Sequence, residues 1–192
     1  MIIIEGPDGA GKSTLVRKIC ERYDIKTGER GVKNRDLLYT VTKQDTYTAL
    51  AAMVKGDEAP KVWDRLYYSE LVYASVVGRV PEFTFTDQSF IQRVISAAKP
   101  PVIVCFPSFK KVQENITKDK QMEGVVDNIA LIYARYLTLL SSGVFPDHRM
   151  LYSYEATGGD DYDTLDEIFE EIDDYLNDRK QREWVWASET NN

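Results

Sequence analysis

Met1-Ile2-Ile3-Ile4-Glu5-Gly6-Pro7-Asp8-Gly9-Ala10-Gly11-Lys12-Ser13-Thr14 opens the chain. The apolar run from Met1 to Glu5 reads as a buried strand. A helix is expected from about Ser13, with Leu15, Val16 and Ile19 turned toward the interior. Between them, Gly6 to Ser13 fits G-x-x-x-x-G-K-[ST], a pattern that is specific when a strand precedes it and a helix follows. Glycines let the backbone curl so that its N–H groups converge on phosphate oxygens, and the helix N-terminus adds its partial positive charge. A nucleoside triphosphate is the ligand this arrangement implies. Gly6, Gly9, Ala10, Gly11, Lys12, Ser13 and Thr14 are the expected ATP-binding residues, with Lys12 on the β- and γ-phosphates and Ser13 on Mg²⁺.

Outward from this loop, apolar runs alternate with helical patterns, the signature of a parallel α/β sheet. Further strands are expected at 37–41, 61–64, 101–106 and 148–155. Helices are expected at 46–55, 67–77, 110–118, 125–140 and 164–179, and from a cap at Thr86-Asp87 to just before Lys99-Pro100-Pro101. In the last helix Leu165, Ile168, Phe169, Ile172, Tyr175 and Leu176 fall at helical spacing, and acids fill the other face. Segments 26–36, 78–86 and 156–163 read as loops, 189–192 as a frayed tail, and Trp184 and Trp186 as packing the terminus onto the body. No repeat or long linker divides the 192 residues, so a single domain over 1–192 is expected.

The net charge of −7, from 24 Lys+Arg against 31 Asp+Glu, argues against nucleic-acid binding through bulk charge. That charge is unevenly placed. Residues 155–178 hold 11 acids and no Lys or Arg, so the rest of the chain carries a surplus of four cations, as suits a cleft gripping phosphorylated ligands. Cys20 and Cys105 make neither a disulfide framework nor a zinc cluster. Cys105, inside an apolar run, reads as a core residue. No apolar run approaches the roughly 18 residues of a membrane span. Met1 to Ile4 is too short for the core of a secretory leader. His148, the one histidine, is expected on the surface.

A second block, Asp64-Arg65, ends a short apolar strand on the edge where open α/β sheets bind ligands. There Asp64 can hold Mg²⁺, directly or through water, and Arg65 can fork onto a phosphate. Taken alone, the pair reads equally as a surface ion pair. Thr42-Lys43-Gln44-Asp45 superficially resembles a guanine-reading motif, but it follows the second strand rather than a late one and reads as coincidence.

Taken together, these two blocks resemble those of the thymidylate kinases. Glu5 to Thr14 is similar to their phosphate loop. Their D-R-aromatic-x-x-S-x-x-x-Y is matched in spacing by Asp64, Arg65, Ser69 and Tyr73, with Leu66 in place of the aromatic residue. The resemblance is strong over 1–24 and 61–78, and the compact size looks like the phage-encoded branch. It implies a three-layer α/β P-loop kinase fold with a five-stranded parallel sheet flanked by helices. It implies ATP and Mg²⁺, with Ser13 and Asp64 on the metal. It also implies acceptor-binding roles: Asp8 on the sugar 3′-hydroxyl, Arg65 on the acceptor phosphate, and Tyr73 under the sugar, where it disfavours a 2′-hydroxyl. By spacing alone Tyr73 would be a core residue.

The family bridges donor and acceptor phosphates with a cation, placed either inside the loop or on a mobile lid. The in-loop slot here is Gly9, so a lid-like segment at about 108–124 is expected to supply it. Lys110, Lys111, Lys118 and Lys120 cluster there, and Lys118 and Lys120 join Lys12, Asp64 and Arg65 as the expected catalytic set. The other reading of these lysines is a solvated helix face. The family's base-reading Phe and Arg are absent from residues 43–60, where Tyr47, Met53 and Lys55 are the nearest substitutes.

The activity implied is transfer of the ATP γ-phosphoryl to a deoxynucleoside monophosphate, dTMP or a modified dUMP or dTMP analogue. A monophosphate needs positioning and charge neutralisation, whereas a nucleoside 5′-hydroxyl needs a general base. Nucleoside kinases usually place a glutamate after the second strand. Val41-Thr42-Lys43-Gln44 has none, and Asp45 is the nearest acid. Three alternatives stay open: a deoxynucleoside kinase, a kinase acting on a modified base in phage DNA, and a nucleotide-binding regulator or hydrolase without an acceptor. The expected partners are small-molecule nucleotides and, by family resemblance, a second copy of the chain as a homodimer. Neither nucleic acid nor membrane is expected as a partner. The expected location is the cytoplasm, or that of the host if the protein is phage-encoded.

Overall fold

The computed structural model describes residues 1–28, 42–55, 59–118, 124–156 and 161–190. In chain order the elements are β1 (Ile2–Glu5), α1 (Lys12–Tyr23), β2 (Lys26–Thr27), α2 (Lys43–Lys55), β3 (Lys61–Asp64), α3 (Tyr67–Val76), α4 (Phe85–Ala98), β4 (Val102–Cys105), α5 (Phe109–Ile116), α6 (Val125–Ser141), β5 (Met150–Tyr152) and α7 (Leu165–Thr190). The five strands pair in parallel in the order β2-β3-β1-β4-β5.

A strand covered on both faces must be apolar on both, and β1 takes the central position for that reason. Ile2 and Ile4 pack with Leu15 and Ile19 of α1 and with Ile168 and Ile172 of α7. Ile3 faces the other way, into a larger core that includes Tyr67 and Tyr73 of α3, Ile91 and Ile95 of α4, and Ile132 and Tyr136 of α6. Two cores, one on each side of the sheet, give the expected three layers. The register sets Asp64 beside Ile4, Val104 beside Glu5 and Tyr152 beside Cys105. The carboxyl ends of β1, β3, β4 and β5 therefore form one edge. Among the described residues no helix is long and apolar enough to cross a membrane.

Several boundaries differ from the sequence reading. The expected strand at 37–41 lies outside the described residues. The strand beside β3 is instead Lys26–Thr27, in a stretch that reads as loop because its pairing partner, Lys61–Val62, is distant in sequence. The helix expected to begin at a Thr86-Asp87 cap starts earlier, at Phe85, because Thr84 is the cap: its side chain accepts from Asp87 N–H while the Asp87 carboxylate accepts from Thr84 N–H. The same reciprocal bonding joins Thr42 to Asp45 and Thr164 to Glu167. These are capping boxes, each satisfying helix-end donors that would otherwise have no partner. The Thr42–Asp45 box explains Thr42-Lys43-Gln44-Asp45 without any nucleotide, and it starts α2 at Lys43 rather than Thr46. The last helix runs to Thr190, past the expected end at Arg179 and into the expected frayed tail.

Candidate active site

The phosphate loop leaves β1 at Gly6. Here φ is +132°, and a Cβ would sit 2.1 Å from the carbonyl oxygen of Cys105 in β4, so any side chain would drive the loop off the sheet. The loop ends where α1 begins at Lys12. Lys12 is buried, and its ammonium donates to the Pro7 carbonyl at 2.6 Å. Burial lowers its pKa to about 8, and the nearby Arg65 charge adds to the shift against the pull of Asp8 and Asp64.

Across from the loop, Arg65 joins β3 to α3. Its N–H extends the ladder to the Ile4 carbonyl at 2.8 Å, and its φ of 74° is left-handed. That conformation costs on the order of 1–3 kcal/mol for a residue other than glycine, so surrounding contacts must hold it. They are extensive. Nη1 donates to the Gly6 carbonyl at 2.9 Å, the Tyr136 hydroxyl at 3.2 Å and Ser69 Oγ at 3.3 Å. Nη2 donates to Asp8 Oδ1 at 2.6 Å. The guanidinium lies 5.0 Å from the centre of the Tyr73 ring, and the Tyr73 hydroxyl donates to the other Asp8 oxygen. Burial works against the Asp8 charge, but Arg65 and Lys12 outweigh it and hold the carboxyl below its usual value. Burial pushes the Tyr73 phenol far above its ordinary value, so it stays protonated and donating.

Glu5 completes this cluster. β1 directs its carboxylate under α3 and α6, where it is fully buried. Oε1 accepts from the N–H groups of Leu66 at 2.7 Å and Ser69 at 3.4 Å, buried donors at the start of α3. Oε2 accepts from Ser69 Oγ at 2.6 Å and the Tyr136 hydroxyl at 3.2 Å. Burial raises its pKa despite these bonds and the Arg65 charge. Glu5 thus caps a helix distant in sequence and supports the groups that hold Arg65.

The loop and Arg65 open onto one cavity of about 800 Å³. Asp8, Gly9, Gly11, Lys12, Ser13, Thr14, Asp64 and Arg65 line it together. Tyr73 does not line it but lies fully buried beneath Arg65 and Asp8. Ala10 is buried within the loop. Lys118 also lines the cavity, and Lys120 lies outside the described residues. Ser13 and Asp64 present hard oxygen donors at the same cavity. A phosphate-bound Mg²⁺ needs only one or two such protein ligands, the rest coming from phosphates and water, so these two fit that ion. Of the residues weighed for reading a base, Tyr47 donates to Asp87 at 2.7 Å and packs on Phe90 of α4. Met53 lines a separate small cavity with Met1 and Trp63. The side chain of Lys55 is outside the described residues. His148 is half-buried against the Pro100 carbonyl at 3.2 Å, away from the cavity.

The sequence reading missed Glu5, Lys18, Asn115, Tyr136, Tyr152 and Tyr154. Lys18 follows Thr14 by one helical turn, and that spacing could have placed it on the cavity. Nothing local marks the other five, because their roles depend on partners far along the chain.

No protein-family model and no curated protein matches this chain. Solved structures do. The YorR protein from Bacillus subtilis, in complex with phosphorylated GDP, is 21% identical with a TM-score of 0.57 over 100% of this chain and 98% of that one. Deoxyadenosine kinase from M. mycoides with bound dATP is 19% identical, with a TM-score of 0.53 over 92% of this chain and 98% of that one. The same enzyme with bound dCTP aligns at 21% identity and a TM-score of 0.52, over 93% and 100%. The five-stranded α/β sheet flanked by helices is the fold this chain shares with them.

Proposed function

We propose that the protein transfers the γ-phosphoryl of ATP to a deoxynucleoside monophosphate, dTMP or a modified dUMP or dTMP analogue. The observation that carries this reading is the placement of Asp8 and Arg65, bonded to each other and backed by the buried Tyr73, on the same cavity as Lys12 and Ser13. The loop amides and Lys12 hold the donor phosphates, with the Lys12 ammonium moving from the Pro7 carbonyl to the anion. Arg65 has five N–H groups, and its bonds to protein leave capacity on Nε and Nη2 for an acceptor phosphate. Asp8, held in place by the Tyr73 hydroxyl, then orients the sugar. Mg²⁺, held by Ser13 and Asp64, would supply charge neutralisation at the transferring group. The proton balance also favours a phosphate acceptor. Glu5 is enclosed by its own donors, and Asp8 is held below the usual carboxylate range, so neither suits the role of general base.

A second reading, a deoxynucleoside kinase, draws support from the fold shared with deoxyadenosine kinase. Incubation of the protein and Mg·ATP with a panel of deoxynucleosides, their monophosphates and modified DNA, with products read by mass, decides between them. Diphosphate formed from a monophosphate is the expected product. Monophosphate formed only from nucleosides establishes the second reading, and ATP loss independent of any acceptor overturns both.

A further inference from the structure

The helix α5 rests on the outside of the phosphate loop. A Cβ on Gly9, whose φ is +75°, would lie 2.9 Å from the Val112 carbonyl oxygen and 3.3 Å from the Ile116 nitrogen, so only glycine lets α5 sit this close. At that contact one side chain bonds in three directions. Asn115 Nδ2 donates to the Gly9 carbonyl at 2.9 Å and to the Tyr154 hydroxyl, and its Oδ1 accepts from Lys118 Nζ at 3.1 Å. Tyr154 lies over the end of the loop, where a Cβ on Gly11 would be 3.0 Å from its ring. Asn115, Lys118 and Tyr154 all line the 800 Å³ cavity.

The peptide unit is planar and trans, so its C=O and N–H point in opposite directions. Holding the Gly9 carbonyl outward toward α5 turns the Ala10 N–H inward. There it faces the Pro7 carbonyl at 3.4 Å, the same oxygen that Lys12 reaches at 2.6 Å. That interior is where an anion collects converging N–H groups. Lys111, the neighbouring cation on α5, is paired with Glu114 at 3.4 Å and lies 3.9 Å from Glu155. Lys118 instead has its ammonium held by the Asn115 amide oxygen.

We infer that Asn115 is a positioning residue for the donor phosphates: its amide nitrogen aims the Ala10 N–H into the loop, and its amide oxygen holds Lys118 at the mouth of the loop. The inference rests on the reading of this cavity as an ATP site. It requires a side chain that donates and accepts at once, which aspartate and alanine do not provide.

Asn115→Asp keeps an oxygen for Lys118 but has no N–H for Gly9, and Asn115→Ala loses both bonds. Asn115 is half-buried in the last turn of α5 and its side chain faces the cavity, so both variants are expected to keep the wild-type melting temperature. Calorimetric titration with Mg·ATP should show binding weakened about five- to tenfold in both, the range one neutral hydrogen bond supplies. The KM for the acceptor should stay unchanged. ATP binding within twofold of wild type in both variants overturns the inference. So does an equal loss for ATP and acceptor together with a lower melting temperature, which would mark a merely structural residue. In the double variant Asn115→Ala with Lys118→Ala, a combined loss no larger than the greater single loss supports the coupling, and full additivity overturns the Lys118 half. Binding is read without transfer, so a protein that binds ATP and phosphorylates none of the panel fails the proposed function while leaving this test intact. A wild-type protein that binds no ATP overturns both.

Discussion

The two walls of the cavity are built differently. Around Arg65, a strained residue, Glu5, Asp8, Ser69, Tyr73 and Tyr136 form a continuous network that is almost wholly buried. At α5, by contrast, Asn115, Lys118 and Tyr154 are half-buried or exposed and joined through a single amide. Buried charges must be paired and bonded before any ligand arrives, since leaving one unpaired costs several kcal/mol. Exposed lysines carry no such demand and can wait for the ligand to supply the partner. The difference separates a preorganised wall, whose failure costs stability, from an adaptable one, whose failure changes affinity.

The sharpest way to break that comparison lies where the walls meet. Lys12→Ala should lower turnover by about 10²–10³-fold, the range for loss of one preorganised group facing transition-state charge. The fold should be retained, because the side chain serves charge and not packing; steady-state rates and a thermal melt check this. Next in size is Glu5→Ala, which leaves the donors of Leu66, Ser69 and Tyr136 without their acceptor. It should destabilise the fold by about 3 kcal/mol in urea unfolding, whereas Lys118→Ala should leave that midpoint in place.

The third is a pH dependence with two opposite signs. Lys12 in the folded protein loses its proton near 8 instead of 10.5. kcat/KM for ATP should therefore be level below about 8 and fall about tenfold per pH unit above it. The folded state binds fewer protons than the unfolded state between those two values, so the Lys12 contribution to stability rises with pH while function declines. Paired pH series of rate and melting temperature would show the two curves diverging. The smallest effect is that of Lys118→Ala, about three- to fivefold in turnover for an exposed cation. Turnover equal to wild type would remove Lys118 from the catalytic set and leave it on a solvated helix face.

The opening fourteen residues carried the sheet centre, the loop and Lys12, because strand, turn and helix there are all local and each has its own periodicity. Asp64-Arg65 followed from its place at a strand end. The acidic character of 155–178 also needed nothing beyond the sequence, and the structure places most of it along α7 and its approach. The three capping boxes are all readable as T-x-x-[DE], a local signal that the apolar periodicity does not carry. Tertiary structure alone decided the rest. Glu5 caps α3 across 61 residues, Tyr136 reaches Arg65 across 71, and Asn115 reaches the Gly9 carbonyl across 106. No periodicity registers such contacts, because the sheet order, not the sequence spacing, sets which strand ends and helix faces meet. Local sequence determined which groups the cavity holds; the parallel register and the packing of α3, α5 and α6 decided which are locked and which remain available to a ligand.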